Sequence, residues 1–249
     1  MESPQLEKLP TGIEGFEDLS LGGLPKGRTT LISGTPGAGK TVMAVEYLYR
    51  GITEFRQNGV FVTCEEDPQD IVSNVMSFGW DINSLVAKKK WVFVDLSPRG
   101  EDEAKVGAYD LGAMTARVIH ALEKVNAKRV AIDSSSALFE RYQESGIIRR
   151  ELLKLITAMK KTGATTIITT ERVEGASSIS KFGVEEFVTD NVILLSNKEE
   201  DLRRTRQIEI LKFRGAAHLT GKYPMLITPQ GVRVFPLSTE IITGELLLE

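Results

Sequence analysis

Gly34-Thr35-Pro36-Gly37-Ala38-Gly39-Lys40-Thr41 fits the spacing G-x-x-x-x-G-K-S/T, in which glycines let the backbone curl until several N–H groups point into one hollow. A β-rich run, 29–33, precedes it and a helical pattern, 41–55, follows it. The positive end of a helix therefore adds to the same hollow. The combination predicts a nucleotide-phosphate site made of Gly34, Thr35, Pro36, Gly37, Ala38, Gly39, Lys40 and Thr41. Lys40 is expected to meet the outer phosphates as a cation, and the Thr41 hydroxyl to give one oxygen to Mg²⁺. ATP or ADP with Mg²⁺ is the expected ligand.

Outward from this loop, β-rich runs recur at 60–64, 91–95, 129–133, 165–170 and 191–195. They are dense in Val, Ile, Phe and Thr and lack strict polar alternation, as strands covered on both faces do. Helical patterns lie between them at 67–78, 109–125 and 146–161. The last carries Ile148, Leu152, Leu155, Ile156 and Met159 at helical spacing, with Gly163 as C-cap. Asp67 before Pro68 reads as an N-cap followed by proline at the first helical position. Strand and helix in alternation predict an α/β fold: a mainly parallel twisted sheet with helices on both faces. From Arg206 the pattern shifts to short strands and turns, including Pro229-Gln230-Gly231, which predicts a C-terminal antiparallel extension. No linker interrupts the chain, and one domain over 1–249 is expected.

The 249 residues carry 31 basic and 34 acidic side chains, a net charge of −3, so the global positive field of a nucleic-acid binder is missing. A single cysteine, Cys64, excludes an internal disulfide. No signal pattern opens the sequence and no run approaches the ~20 apolar residues of a membrane span, so a cytoplasmic protein without membrane attachment is expected.

Two acidic positions complete the chemistry. Asp133 ends the apolar run Arg129-Val130-Ala131-Ile132, which places a carboxylate at the sheet edge beside the phosphates as a Mg²⁺ partner. Ser134 follows, where a water-activating glutamate often stands, so the base has to come from another strand end. Glu65 and Glu66 follow the 60–64 run and supply it. Adjacent carboxylates project differently and Asp67 is occupied as a cap, so Glu65 is expected to face the γ-phosphate with Glu66 as support.

Thr11-Gly12-Ile13-Glu14-Gly15-Phe16-Glu17-Asp18-Leu19, Gly22-Gly23-Leu24-Pro25-Lys26-Gly27, the glycine loop and Cys64-Glu65-Glu66-Asp67 resemble the RecA-like P-loop ATPases of the KaiC/RadA group. The closest likeness is to the N-terminal ATPase half of its two-unit KaiC members. Thr169-Thr170-Glu171-Arg172, the segment Phe182-Gly183-Val184-Glu185-Glu186-Phe187, and Ile210-Leu211-Lys212-Phe213-Arg214-Gly215 extend the likeness over nearly the whole chain. The resemblance implies slow ATP hydrolysis between neighbours of a ring, a homohexamer, with a regulatory role toward a protein client. It makes Glu65 and Glu66 the catalytic carboxylates, and makes Lys212 and Arg214 cations reaching the adjacent subunit's γ-phosphate. On spacing alone those two share one face of a strand, which reads as solvated. By resemblance Arg206 and His218 contact the neighbour's nucleotide. The chain departs from the group at Ala216 and Thr220, where threonine and lysine are the pattern. Glu186 and Phe187 stand where a phosphorylated Ser-Thr pair would, and neither accepts phosphate.

Lys198, Arg203, Arg204 and Arg206, interleaved with Glu199, Glu200 and Asp201, read as a solvated loop of mixed sign. His120, His218 and Cys64 lack metal-ligand spacing. Trp80 and Trp91 read as core. The Ser- and Gly-rich segment 174–184 is a candidate pore loop, with only Lys181 and Phe182 suited to single-stranded DNA. A nucleotide-gated scaffold and a RadA-like DNA-binding ATPase are the rival readings, and the acidic charge weighs against the second.

Overall fold

The computed structural model describes residues 6–97, 111–140, 142, 144–173, 175, 178–200 and 203–236. In chain order the elements are β1 (Lys8–Leu9), α1 (Phe16–Ser20), β2 (Leu24–Pro25), β3 (Thr29–Gly34), α2 (Lys40–Thr53), β4 (Gly59–Thr63), α3 (Pro68–Val75), α4 (Ile82–Ala87), β5 (Trp91–Asp95) and α5 (Leu111–Val125). There follow β6 (Arg129–Asp133), α6 (Ser135–Leu138), α7 (Ser145–Thr162), β7 (Thr165–Glu171), α8 (Glu185–Val188), β8 (Asn191–Glu200), β9 (Arg203–Phe213), β10 (Lys222–Thr228) and β11 (Gly231–Val234).

One sheet runs β11-β10-β9-β8-β3-β7-β6-β4-β5, parallel from β8 to β5 and antiparallel from β8 out to β11. This is the RecA-like P-loop architecture, with the expected antiparallel extension. Successive strand residues feed opposite faces. Ile32, Phe61 and Ala131 join the core beneath α2, whereas Leu31, Val60, Val62, Val130 and Ile132 join the core beneath α5 and α7. Both faces being covered accounts for the missing polar alternation. Trp80 and Trp91 are core residues as expected, stacked on Tyr49 and Phe61 respectively.

Several boundaries differ from those expected. The helix predicted over 67–78 begins as predicted, with Asp67 accepting the Gln69 N–H at 2.8 Å, but tightens at Met76–Phe78 into a 3₁₀ turn before Gly79. α4 was hidden by its length, six residues capped by Asp81. Tyr109 and Asp110, expected in the helix that begins at Leu111, lie outside the described residues. Lys198, Arg203, Arg204 and Arg206 are not in a loop: they lie on the long β8–β9 ribbon. Their mixed signs are paired across it, Glu199 directly opposite Arg204 with an ion pair of 3.0 Å. His120 is exposed on α5.

α2 is fastened to the end of the sheet by a buried acid. Glu46 accepts the Val232 N–H at 2.7 Å and Arg50 Nε at 3.3 Å. A Cβ at Gly231, φ 120°, would lie 2.4 Å from its Oε1, so only glycine fits there. Burial pushes the Glu46 carboxyl up to about 7, against the pull of the Val232 N–H and Arg50. The folded value exceeds the unfolded one, so the fold favours the protonated acid and its contribution to stability falls as pH rises through about 4.5 to 7. Glu46→Gln is therefore expected to gain about 1–3 kcal/mol on the parent between pH 5 and pH 8. Thermal or urea melts across that range, with the two proteins differing equally at both ends, would contradict this.

Candidate functional site

The glycine loop leaves β3 and turns into α2 through left-handed backbone at Gly37, φ 73°, and Gly39, φ 98°. Gly39 is the N-cap of the 14-residue α2 and offers no capping side chain, so the first-turn N–H groups keep their donors for something else. A Cβ at Gly34 would meet the Leu195 carbonyl oxygen at 2.8 Å, and one at Gly39 would meet Ile227 Cδ1 at 3.0 Å. β8 and β10 thus press the curl into shape. Lys40 Nζ donates to the carbonyls of Gly34 at 2.9 Å and Thr35 at 3.1 Å. Burial lowers its pKa, while Glu171, Asp133 and Glu65 pull the other way.

Parallel register brings the acids to this spot. Gly34 pairs with Glu171 across β3 and β7, and Thr63 with Asp133 across β4 and β6. Asp133 Oδ2 accepts the Thr41 hydroxyl at 2.7 Å, and its Oδ1 accepts the Thr169 hydroxyl. The α6 cap is Ser134, not Asp133. Ser134 also donates to Glu65 Oε1 at 2.7 Å. Lys40, Thr41, Thr63, Glu65, Glu66, Asp133, Ser134 and Glu171 line a cavity of about 180 Å³. A larger hollow, about 1000 Å³, lies away from these residues between α5 and α7.

Both glutamates line the cavity, although neighbouring residues of a strand would project to opposite faces. The chain bends at 64–66 after β4, so the alternation of an extended strand does not apply. Burial, with Asp133, Glu65 and Asp70 nearby, raises the Glu66 pKa despite a hydrogen bond from Asn74 Nδ2 at 3.2 Å. Glu171 was missed. The available signal was an acid closing the Thr-rich run 165–170, as Asp133 closes its own run.

The basic residues are distributed elsewhere. Arg206 Nε donates to the Gly37 carbonyl at 3.0 Å, so in this chain it grips its own glycine loop. His218 packs on Phe213, with centroids 5.4 Å apart, and its buried Nδ1 lacks a partner among the described residues. Lys212 Nζ donates to the carbonyls of Glu186 at 2.6 Å and Thr189 at 2.8 Å. Leu195 of β8 flanks Gly34 and pairs with Ile208. Lys212 is four residues further along β9, about 13 Å away at about 3.3 Å per residue. The Arg214 N–H donates to the Asp190 carbonyl at 3.2 Å, level with Thr29 at the start of β3, and its side chain is exposed. Lys212 and Arg214 thus lie toward the sheet edge opposite the glycine loop.

A family model for the ATPase KaiC matches residues 9–239. The chain belongs to the KaiC ATPase family. It is similar to the circadian clock oscillator protein KaiC of Synechococcus elongatus, 49% identical over 242 residues that cover 97% of this chain and 47% of that protein. The KaiC of Thermostichus vulcanus is 48% identical over 97% of this chain and 46% of its own, and that of Prochlorococcus marinus 47% identical over 96% and 48%. The chain spans about half the length of these curated relatives. Among the described residues of this KaiC-family domain no helix is long and apolar enough to cross a membrane.

Cys64 sits behind the acids, 2% exposed, its thiol pushed well above the ordinary range by burial and by Asp133, Glu65 and Asp95. It is expected to resist Ellman's reagent in the native protein and to react once guanidinium unfolds the chain. Rapid native labelling would contradict that.

Proposed function

We propose that this KaiC-family domain binds ATP on the glycine loop and hydrolyses it slowly at interfaces between copies of itself in a ring. The observation that carries this reading is the separation of its charges. The glycine loop and four carboxylates, Glu65, Glu66, Asp133 and Glu171, gather at one sheet edge, where Lys40 is the one cation among the described residues that line the cavity, while Lys212 and Arg214 lie toward the other. A polyanion entering so acidic a hollow needs further positive charge. Their own chain cannot bring Lys212 and Arg214 there, but a second copy packed head to tail can. The cavity points the same way. At about 180 Å³ it takes the terminal phosphate and leaves the base and ribose to be covered from outside. His218, four residues beyond Arg214, would supply that cover from a neighbour.

The residues present fit Mg²⁺, since the Thr41 hydroxyl and the Asp133 carboxylate are hard oxygens bonded to one another at 2.7 Å. They would hold the ion, whose charge offsets that of the β and γ oxygens when bound. Lys40 exchanges its two carbonyl partners for phosphate oxygens. Glu65, fixed by Ser134, orients a water, and Glu66, beside it in the cavity, receives its proton as the water oxygen bonds to the γ-phosphorus and ADP leaves. This refines the sequence expectation, in which Glu65 takes the proton. Lys212 and Arg214 of the neighbour meet the charge spreading onto the γ oxygens. Two carboxylates lining the cavity beside the glycine loop favour hydrolysis over a passive scaffold. DNA binding is disfavoured, because Lys181 already faces Glu140 at 3.5 Å and Glu171 at 3.7 Å.

Lys40→Ala is expected to abolish ATP binding by calorimetry. Glu65→Gln combined with Glu66→Gln should retain binding and lose about 10²–10⁴-fold in turnover. Mixing equal amounts of that double variant with Arg214→Ala restores complete sites at about a quarter of randomly formed head-to-tail interfaces. Recovered turnover in the mixture, with an ATP-dependent rise in mass, supports the shared site. An inert mixture, or an ATP-loaded monomer with full activity, overturns it.

A further inference from the structure

Glu185 is a fully buried carboxylate that the chemistry above leaves unused. It accepts the Thr170 hydroxyl at 3.0 Å, the Ser180 hydroxyl at 2.7 Å and the Val184 N–H at 3.2 Å. None of these three donors is a cation. Neutral donors are met as well by an amide oxygen as by a carboxyl oxygen, so packing alone does not call for an acid here.

The donors lead to the nucleotide edge. Thr170 precedes Glu171, which lines the cavity, and its hydroxyl lies 3.3 Å from Ser136 Oγ, which itself takes the Glu171 N–H at 2.8 Å. Ser180 follows Ile179, whose carbonyl takes the Ser33 hydroxyl just before Gly34. Arg172 ties the same segment down from the other side, its N–H on the Gly34 carbonyl at 3.1 Å and its Nε on the Ser178 carbonyl at 3.1 Å. Both strands of chain that meet at the Glu185 carboxylate are therefore rooted at the glycine loop.

The backbone of Glu185 leads the other way. Its carbonyl accepts the Thr189 N–H at 3.1 Å and the Thr189 hydroxyl at 2.9 Å. The carbonyls of Glu186 and Thr189 then hold Lys212 Nζ. α8 is a single turn of four residues, so its two ends move together.

We propose that Glu185 is a positioning residue that couples a protomer's own nucleotide edge to Lys212, the cation the same protomer extends to its neighbour. This rests on the interface reading above. When the β7 tip shifts with the phosphate beside Glu171, Glu185 carries the shift to α8. The two carbonyls then hold Lys212 back or let it go forward. Each site in the ring thereby sets the rate at the next.

The test uses the full chain. Glu185→Gln is expected to bind a fluorescent ATP analogue within about twofold of the parent, to melt where the parent melts, and to turn over about tenfold more slowly. Combined with Lys212→Ala it should be no slower than Lys212→Ala alone. Rings doped with a triple variant, Glu185→Gln added to Glu65→Gln and Glu66→Gln, should lose more activity than rings doped with the glutamate pair alone, since the defect falls on the neighbour's site. Ser180→Ala, which keeps the acid and removes one donor, should move turnover in the same direction by less, and serves if Glu185→Gln fails to fold. Equal losses on doping, or multiplying defects with Lys212→Ala, overturn the proposal. Slow Lys212→Ala with full-rate Glu185→Gln sinks the coupling alone. Full-rate Lys212→Ala sinks the interface reading and the coupling with it.

Discussion

A parallel sheet delivers the last residue of every strand to the same edge, and this chain ends four neighbouring strands, β7, β6, β4 and β5, at that edge on, or just before, a carboxylate. Gly34 lies beside Glu171, and Thr63 beside Asp133 with Glu65 and Glu66 just beyond. The fold thereby solves the geometry of a water-activating site and creates an electrostatic problem in the same stroke. Burial, with repulsion from Asp133, Glu65 and Asp70, raises Glu66, and burial lowers Lys40 against the pull of Glu171, Asp133 and Glu65. Everything proposed for the chemistry follows from how that excess negative charge is met.

The antiparallel extension supplies the other half. β9 runs back alongside β8 and carries the chain from the level of Gly37, where Arg206 is bonded, to the level of Thr29, where Arg214 leaves the sheet. One protomer thus has an acidic end and a basic end. If Lys212 and Arg214 complete a neighbour's site as proposed, the contact is head to tail and repeats, which is the geometry of a ring or a filament and not of a closed two-fold pair.

Much of this was legible beforehand. The glycine loop, Asp133, the six parallel strands and the Asp67 cap all rest on local spacing, and each appears where spacing puts it. The missed features depend on contacts between distant segments. The bend at 64–66 lets both glutamates face one hollow, although strand alternation would separate them. Arg204 and Glu199 look like cancelling loop charges until the ribbon sets them opposite one another. Glu171 needed the knowledge that β7 inserts between β3 and β6, which no residue within either strand announces. Glu185 was quoted only as part of a resemblance, because its partners Thr170 and Ser180 approach it from separate segments.

Strand β6 carries one further consequence. At its first residue the buried Arg129 guanidinium donates to the carbonyls of Pro10 at 2.5 Å, Thr11 at 3.3 Å and Tyr47 at 2.9 Å and to Gln57, and lies over the ring of Tyr47. At its last residue Asp133 is clasped by two threonine hydroxyls. A slip of one position would drag a trapped cation from its cage and an anion from its clasp together. The strand is therefore anchored lengthwise like a rod bolted at both tips, and the acid it presents is located by the far side of the molecule as firmly as by its own surroundings.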